Sequence, residues 1–217
     1  MNQAHDLTEL TIEERIMQGL DTLNVSYGDE AIAKLIEYLD LLVEWNKTHN
    51  LTAVDNIDQM LSVHIFDSAS IKPYMKGATL LDVGSGAGLP GMILAILSPA
   101  LEVVSIEARN KKAQFQMFVA NKLQLKNFTV ENMRVEDYQP KEKFSMVTAR
   151  AFSSLGDLVD LSKQTVASNG RWLAMKGTFP EEELKDLKKR SLKFDTFALK
   201  VPELDAQRNL VVIKPKN

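Results

Sequence analysis

The chain has 217 residues, 45% of them hydrophobic and 25% charged, with a formal net charge of −3. It contains no cysteine, which excludes disulfides, cysteine-ligated zinc and a cysteine nucleophile, and with the nucleophile the thiolate addition that pyrimidine C5 methylation requires. The acidic balance argues against a general polyanion binder and leaves room only for a local basic patch.

Residues 1 to about 72 read as helical. Leu10, Ile12, Ile16, Leu20 and Leu23 outline a first helix, and Gly28-Asp29 breaks it. Ile32, Leu35, Ile36, Leu39, Leu42 and Val43 follow helical spacing more clearly. Met60, Leu61, Ile65 and Phe66 mark a short third helix. His64 and Asp67 share a face of it and read as a local capping or interhelical pair, with a general base as the minor alternative. Trp45, Asn46 and Asn50 read as a packed hinge, with a polar cluster facing the site as the alternative. No apolar run is long enough to span a bilayer, and MNQAHDLTEL lacks the plan of a signal peptide. A cytoplasmic protein is expected.

From Lys76 the pattern alternates. Strands are expected at 79–83, 101–106, 128–133, 144–149, 171–175, 194–200 and 209–214, and helices at 89–97, 110–124, 154–168 and 180–191. Thr178 and Glu181 have capping-box spacing, with Pro180 in the first turn. Alternating strands and helices imply a doubly wound, mostly parallel sheet. Only PELDAQR separates the last two strands, too little for a helical crossover, so they should pair antiparallel. The expected architecture is thus an N-terminal helical cap over residues 1–72, packed on an α/β domain over 73–217.

The stretch LLDVGSGAGLPG, residues 80–91, dominates the α/β half. A strand running into glycines and then into an apolar helix presents free backbone N–H groups, and glycine lets a ligand approach without a Cβ in the way. Gly86, Gly88 and Gly91 match the dinucleotide-binding spacing, a weak signal alone. Gly84 makes the turn G-x-G-x-G, Asp82 precedes it, and Glu107 closes the next strand, where a carboxylate can accept both hydroxyls of a ribose. This pattern is similar to the S-adenosylmethionine site of Rossmann-like methyltransferases.

Ligands of open α/β sheets sit outside the carboxyl ends of the strands. That rule selects Asp82, Gly84 to Leu89, Glu107, the Arg134–Asp137 segment, Arg150 and Lys176. Glu107 and Glu136 are the better candidates for adenosine, whereas Arg134 and Asp137 read as solvated ends. Asp82 suits the orientation of the loop as well as ligand contact. After the fourth strand, enzymes that methylate exocyclic amino groups carry an Asn or Asp, a proline pair and an aromatic. Here the segment is TARAFSSL. Arg150 cannot act as a base at neutral pH, but it can position a phosphate or donate to guanine O6. A nucleophile needing no deprotonation, such as guanine N7, is implied. The alternative for Arg150 is a structural tie between strand ends. The basic run Lys185, Lys188, Lys189, Arg190 and Lys193 reads as a solvated helix face, with a phosphate patch as the alternative.

Together WNKTHNLTAV, HIFDS, LLDVGSGAGLPGMILAI, RVEDY, ARAFSSL, MKG and RNLVVIKP resemble the bacterial 16S rRNA (guanine-N7-)-methyltransferase family RsmG, formerly glucose-inhibited division protein B. The resemblance runs from Trp45 to Lys214. It implies methyl transfer from S-adenosylmethionine to N7 of a guanine in 16S rRNA, within a small-subunit ribonucleoprotein, by a monomer that uses no metal. It also implies a cofactor pocket lined by Gly84, Leu89, Val135, Glu136 and Arg150, joined by Gly86 and Glu107 of the loop reading. Lys176 and Arg208 would lie on the substrate side, completing a catalytic group with Arg150. Some members have Asp where this chain has Glu107. The competing classes are a nicotinamide oxidoreductase, for whose substrate domain 217 residues leave little room, and a nucleotide-binding module without catalysis.

Overall fold

The computed structural model describes residues 10–216. Helix α1, Ile12–Thr22, starts on a capping box in which Thr11 and Glu14 satisfy each other's backbone N–H groups. Helix α2, Ala31–His49, ends on Asn50 in the left-handed conformation. Short helices α3, Ile57–Met60, and α4, Asp67–Ala69, flank a π-helical stretch, Leu61–Phe66. Wide turns of this kind commonly mark functional sites.

Seven strands follow: β1 Thr79–Val83, β2 Glu102–Ile106, β3 Phe128–Glu131, β4 Phe144–Arg150, β5 Val166–Lys176, β6 Lys193–Leu199 and β7 Arg208–Lys214. Their order is β3-β2-β1-β4-β5-β7-β6. The first five are parallel, whereas β7 pairs antiparallel with both β5 and β6. The strand order reverses between β1 and β4, and the crevice at such a switch point is where open sheets hold ligands. Helices α5 Gly91–Leu97, α6 Asn110–Lys122, α7 Leu155–Ser162 and α8 Glu181–Lys189 complete the fold.

Two expectations are corrected here. The helix expected over 154–168 stops at Ser162, and β5 starts at Val166. Val166 pairs with Phe144, and the register shifts before Met146 meets Arg171. Sheet pairing thus overrides a helical pattern that runs on in sequence. The capping box at Thr178 does not form either: Pro180 occupies the N-cap of α8 and no side chain caps it.

The helices of the first 72 residues and one face of the sheet share a single apolar core. Leu35, Leu39, Leu42, Phe66, Leu80, Met92, Phe115 and Leu210 all belong to it and are fully buried. Each such side chain contributes roughly 1.5–3 kcal/mol by leaving water. Deleting residues 1–70 would expose that face, so the fragment from residue 71 is expected to aggregate or to lose cooperative unfolding. Thermal and urea denaturation of the two chains test this, and a stable, cooperative fragment would contradict it.

Candidate functional site

The site is built along the carboxyl ends of the parallel strands, with Arg208 at the start of β7 and the π-helical stretch beside them. At the end of β1, Gly84, Gly86 and Gly88 adopt φ of +68°, +61° and +90°, a region that side chains resist. The loop is pinned from below. Gly84 N–H donates to Ile106 O at 2.8 Å, and Leu89 N–H to Ser85 O at 2.8 Å. Asp82, fully buried, accepts from Gly91 N–H at 2.7 Å. Asp82 therefore orients the start of α5, and its other carboxylate oxygen has no hydrogen-bond partner.

The upper side of the loop is open. A Cβ on Gly84 would meet nothing within 4 Å, and one on Gly86 would meet only Lys112 Nζ at 3.7 Å. Glu107, at the end of β2, stands against this space. Its two carboxylate oxygens accept Gly86 N–H at 2.8 Å and Arg109 N–H at 2.7 Å. An ionised carboxylate accepts about four hydrogen bonds, so each oxygen keeps capacity for a hydroxyl. Beyond β3, Val135 is buried and Glu136 exposed in a short 3-10 turn. Leu89 is buried in the core, so its side chain supports the loop from beneath. The open glycine surface and the part-satisfied acid fit the amino-acid and ribose portions of S-adenosylmethionine.

Two residues that hold the loop escape sequence reasoning. Tyr38 Oη donates to Ala87 O at 3.0 Å from inside the core, and burial pushes its phenol pKa up, which keeps it a donor. Gln116 Nε2 donates to Gly86 O and to Ser85 Oγ, both at 2.8 Å. Its Oε1 accepts from Ser105 Oγ at 2.6 Å. A polar Gln116 between Phe115 and Val119, where the helix faces inward, was the available signal. For Tyr38, on an aliphatic stripe, there was none.

Arg150, ending β4, donates from Nη1 to Val63 O at 2.7 Å and lies 3.5 Å from Asp67 Oδ2. Arg208, opening β7, donates from Nε to Asp67 Oδ1 at 3.1 Å. The buried Asp67 carboxylate thus gathers two guanidiniums from strands far apart in sequence. Burial pushes its pKa up, and the two arginines offset that rise only in part. These three line a cavity of about 400 Å³ with His64, Lys176 and Gly177. Lys176 Nζ pairs with Glu183 of α8 at 2.9 Å. The expected His64–Asp67 pair does not form. His64 Nε2 meets Thr52 Oγ1 at 3.1 Å, and its Nδ1 is buried without a partner.

Two buried groups set opposite pH dependences. Burial raises Asp82 from 3.8 to about 7, only partly offset by the Gly91 hydrogen bond. A carboxyl raised on folding favours the folded state when protonated, so its contribution improves as pH falls from about 7 to about 4. His64 is lowered from 6.5 to about 4, first by burial and then by the charge of Arg150. Its neutral form favours folding, so stability is lost as pH falls from about 6.5 to about 4. Asp82→Asn is expected to remove the first slope and His64→Gln the second. Denaturant unfolding between about pH 4 and about pH 8 distinguishes them.

The remaining positions read as solvated are exposed, except that Arg190 is half-buried. Arg134 and Asp137 are exposed. On α8 and beyond, Arg190 pairs with Asp160 and Asp186, and Lys185 with Glu181 and Glu182. Asn46 brackets the loop after α2, accepting Thr52 N–H at 2.9 Å. No helix among the described residues is long and apolar enough to cross a membrane, and none of their acidic or histidine side chains form a metal-holding group.

Known proteins resemble this chain in sequence and in fold. The GidB family, described as rRNA small subunit methyltransferase G, matches residues 31–211. "Ribosomal RNA small subunit methyltransferase G" of Methylobacillus flagellatus is 43% identical over 93% of this chain and 98% of its own. The protein of that name from Haemophilus influenzae is 37% identical over 94% of this chain and all of its own. Among solved structures, a SAM-dependent methyltransferase from Aquifex aeolicus aligns with a TM-score of 0.58 at 16% identity, covering 72% of this chain and 93% of that one. The glycopeptide N-methyltransferase MtfA, solved with S-adenosylhomocysteine, gives 0.61 at 8% identity, covering 70% and 87%. These two likenesses concern the fold.

Proposed function

Because the chain belongs to the rRNA small subunit methyltransferase G family, we propose that it transfers the methyl group of S-adenosylmethionine to N7 of a guanine in 16S rRNA. The observation that carries this is the end of β4. There an arginine, backed by Asp67 and Val63 O, stands where amino-group methyltransferases place an acid and prolines. Guanine N7 already has an in-plane lone pair, so no base is needed.

The cofactor supplies a methyl group activated on sulfonium sulfur, and its transfer leaves S-adenosylhomocysteine and a methylated purine that carries the positive charge. Gly84 and Gly86 give the backbone surface for its amino-acid end, Glu107 the acceptors for its ribose, and Val135 and Glu136 the adenine edge. Leu89 holds the loop from below. Arg150 has one guanidinium nitrogen committed to Val63 O and Asp67, which leaves its other N–H groups free to align cofactor and target. Holding reactants in line contributes several kcal/mol. Arg208 and Lys176 are anchored by Asp67 and Glu183. As cations they suit guanine O6 or phosphate rather than the ring, whose developing charge they would oppose. A cytoplasmic monomer acting on an assembling or complete small subunit accords with this.

Incubation with labelled S-adenosylmethionine and small ribosomal subunits, followed by mapping of the base, tests the proposal. One labelled guanine, sensitive to cleavage at 7-methylguanosine, is expected. Label on an exocyclic amino group or on no RNA would overturn it.

A further inference from the structure

Between Glu107 and Glu131 lie 23 residues without a single Asp or Glu, in a chain that has more acids than bases. The same stretch carries Arg109, Lys111, Lys112, Lys122 and Lys126. Lys111, Lys112 and Lys122 lie on helix α6, Arg109 at its N-cap and Lys126 just beyond its end, with Lys112 half-buried and the other four exposed. The acids of neighbouring α2, Glu37, Asp40 and Glu44, form a separate stripe at i, i+3 and i+7 spacing.

Amid these cations two large apolar side chains stand in solvent. Met117 is 45% and Phe118 43% exposed, and only Phe179 and Phe197 are their equals among the described residues. The Phe118 ring lies 5.2 Å from that of Trp45 on α2, and Trp45 in turn lies 4.9 Å from the His49 ring. An aromatic tier therefore opens beside a basic helix roughly 20 Å long. The patch is continuous with the cofactor loop, because Lys112 Nζ approaches Gly86.

We propose that this face of α6, with Trp45, binds a strand of the substrate RNA next to the target guanine, the lysines following phosphates and Phe118 stacking on a base. The proposal rests on the rRNA methyltransferase reading above. Cations interleaved with open aromatic faces are what backbone tracking and base stacking require. A protein partner would be better met by an apolar centre than by one ringed with lysines that have no ion-pair partner among the described residues. Local concentration of charge also explains how a chain of net charge −3 can engage a polyanion.

Two variants test the patch on the full chain with small ribosomal subunits. Phe118→Ala is expected to raise KM for subunits about tenfold, the loss of one stacked base, with kcat and S-adenosylmethionine affinity unchanged. Lys111→Gln combined with Lys122→Gln should lower the slope of log KM against log salt by about 0.7–0.9 for each phosphate no longer neutralised. Phe197→Ala, an exposed aromatic packed on Tyr74 at the opposite end of the sheet order, should change nothing. Photocrosslinking with a diazirine analogue at Met117 should give adducts to rRNA. Unchanged KM and salt slope, or adducts to ribosomal protein alone, would overturn the patch while leaving the methyltransferase reading intact. A wild-type protein that methylates no RNA in subunits would instead overturn the underlying reading, and the patch with it.

Discussion

Arg150→Ala and Arg150→Lys are both expected to lower methyl transfer by about 100-fold or more, with the fold intact by circular dichroism. Alanine removes the guanidinium that bridges β4 to the π-helical segment, yet Asp67 keeps Arg208 as its counter-charge at 3.1 Å. Collapse of the buried carboxylate is thereby avoided. Lysine preserves the charge but offers one compact ammonium, which cannot hold Val63 O and also present a planar fork to the ligands. The lysine variant is the sharper test, since charge alone would rescue an electrostatic role but not a geometric one. Single-turnover rates with small subunits measure the effect. If Arg150→Ala transfers methyl groups at the wild-type rate, Arg150 is a tie between strand and helix, and the end of β4 leaves the active site.

Gly86→Val should abolish S-adenosylmethionine binding, a loss of more than about 100-fold in calorimetric affinity. Two costs combine. The φ of +61° at Gly86 lies where a side chain costs roughly 1–2 kcal/mol, and more when it is β-branched. The new side chain also stands in the space above the loop, which protein atoms leave empty apart from Lys112 Nζ. Because Gly86 N–H donates to Glu107, backbone relaxation would shift the proposed ribose acceptor as well. Overall stability should fall by only a few degrees in Tm, for no core atom is displaced. Wild-type protein should bind S-adenosylmethionine and S-adenosylhomocysteine but not NADH. Tight NADH binding without affinity for either sulfur compound would refute the assignment of the loop.

Much of the fold was legible because local pattern and tertiary environment agree. Leu80, Leu81 and Val83, and Val103 and Ile106, are apolar runs that parallel strands bury on both faces. The glycines at 84, 86 and 88 announced a backbone with positive φ, which all three adopt. The short link before β7 forced an antiparallel pairing, which β6 and β7 make. The overrun of α7 to 168 has a different cause. LVDLSKQTVAS continues an amphipathic pattern, and only pairing of Val166 with Phe144 on a remote strand ends it.

The candidate site divides along the same line. Sequence by itself determined the elements that act through neighbours in the chain: the strand-to-helix glycine loop, the acid that ends the next strand, and the arginine where an acid and prolines would otherwise stand. Periodicity and backbone chemistry are local, so they can be read locally. Only the tertiary structure decided which partners those residues have. Asp67 meets Arg208 across 141 residues and separates from His64, its near neighbour, because the π-helical stretch turns the two toward different partners. Tyr38 reaches the buried carbonyl of Ala87, and Gln116 the part-buried carbonyl of Gly86, since packing of α2 and α6 against the loop brings donors to carbonyls that need them. A buried polar group must find a partner wherever the fold brings one, and sequence spacing carries no record of that distance.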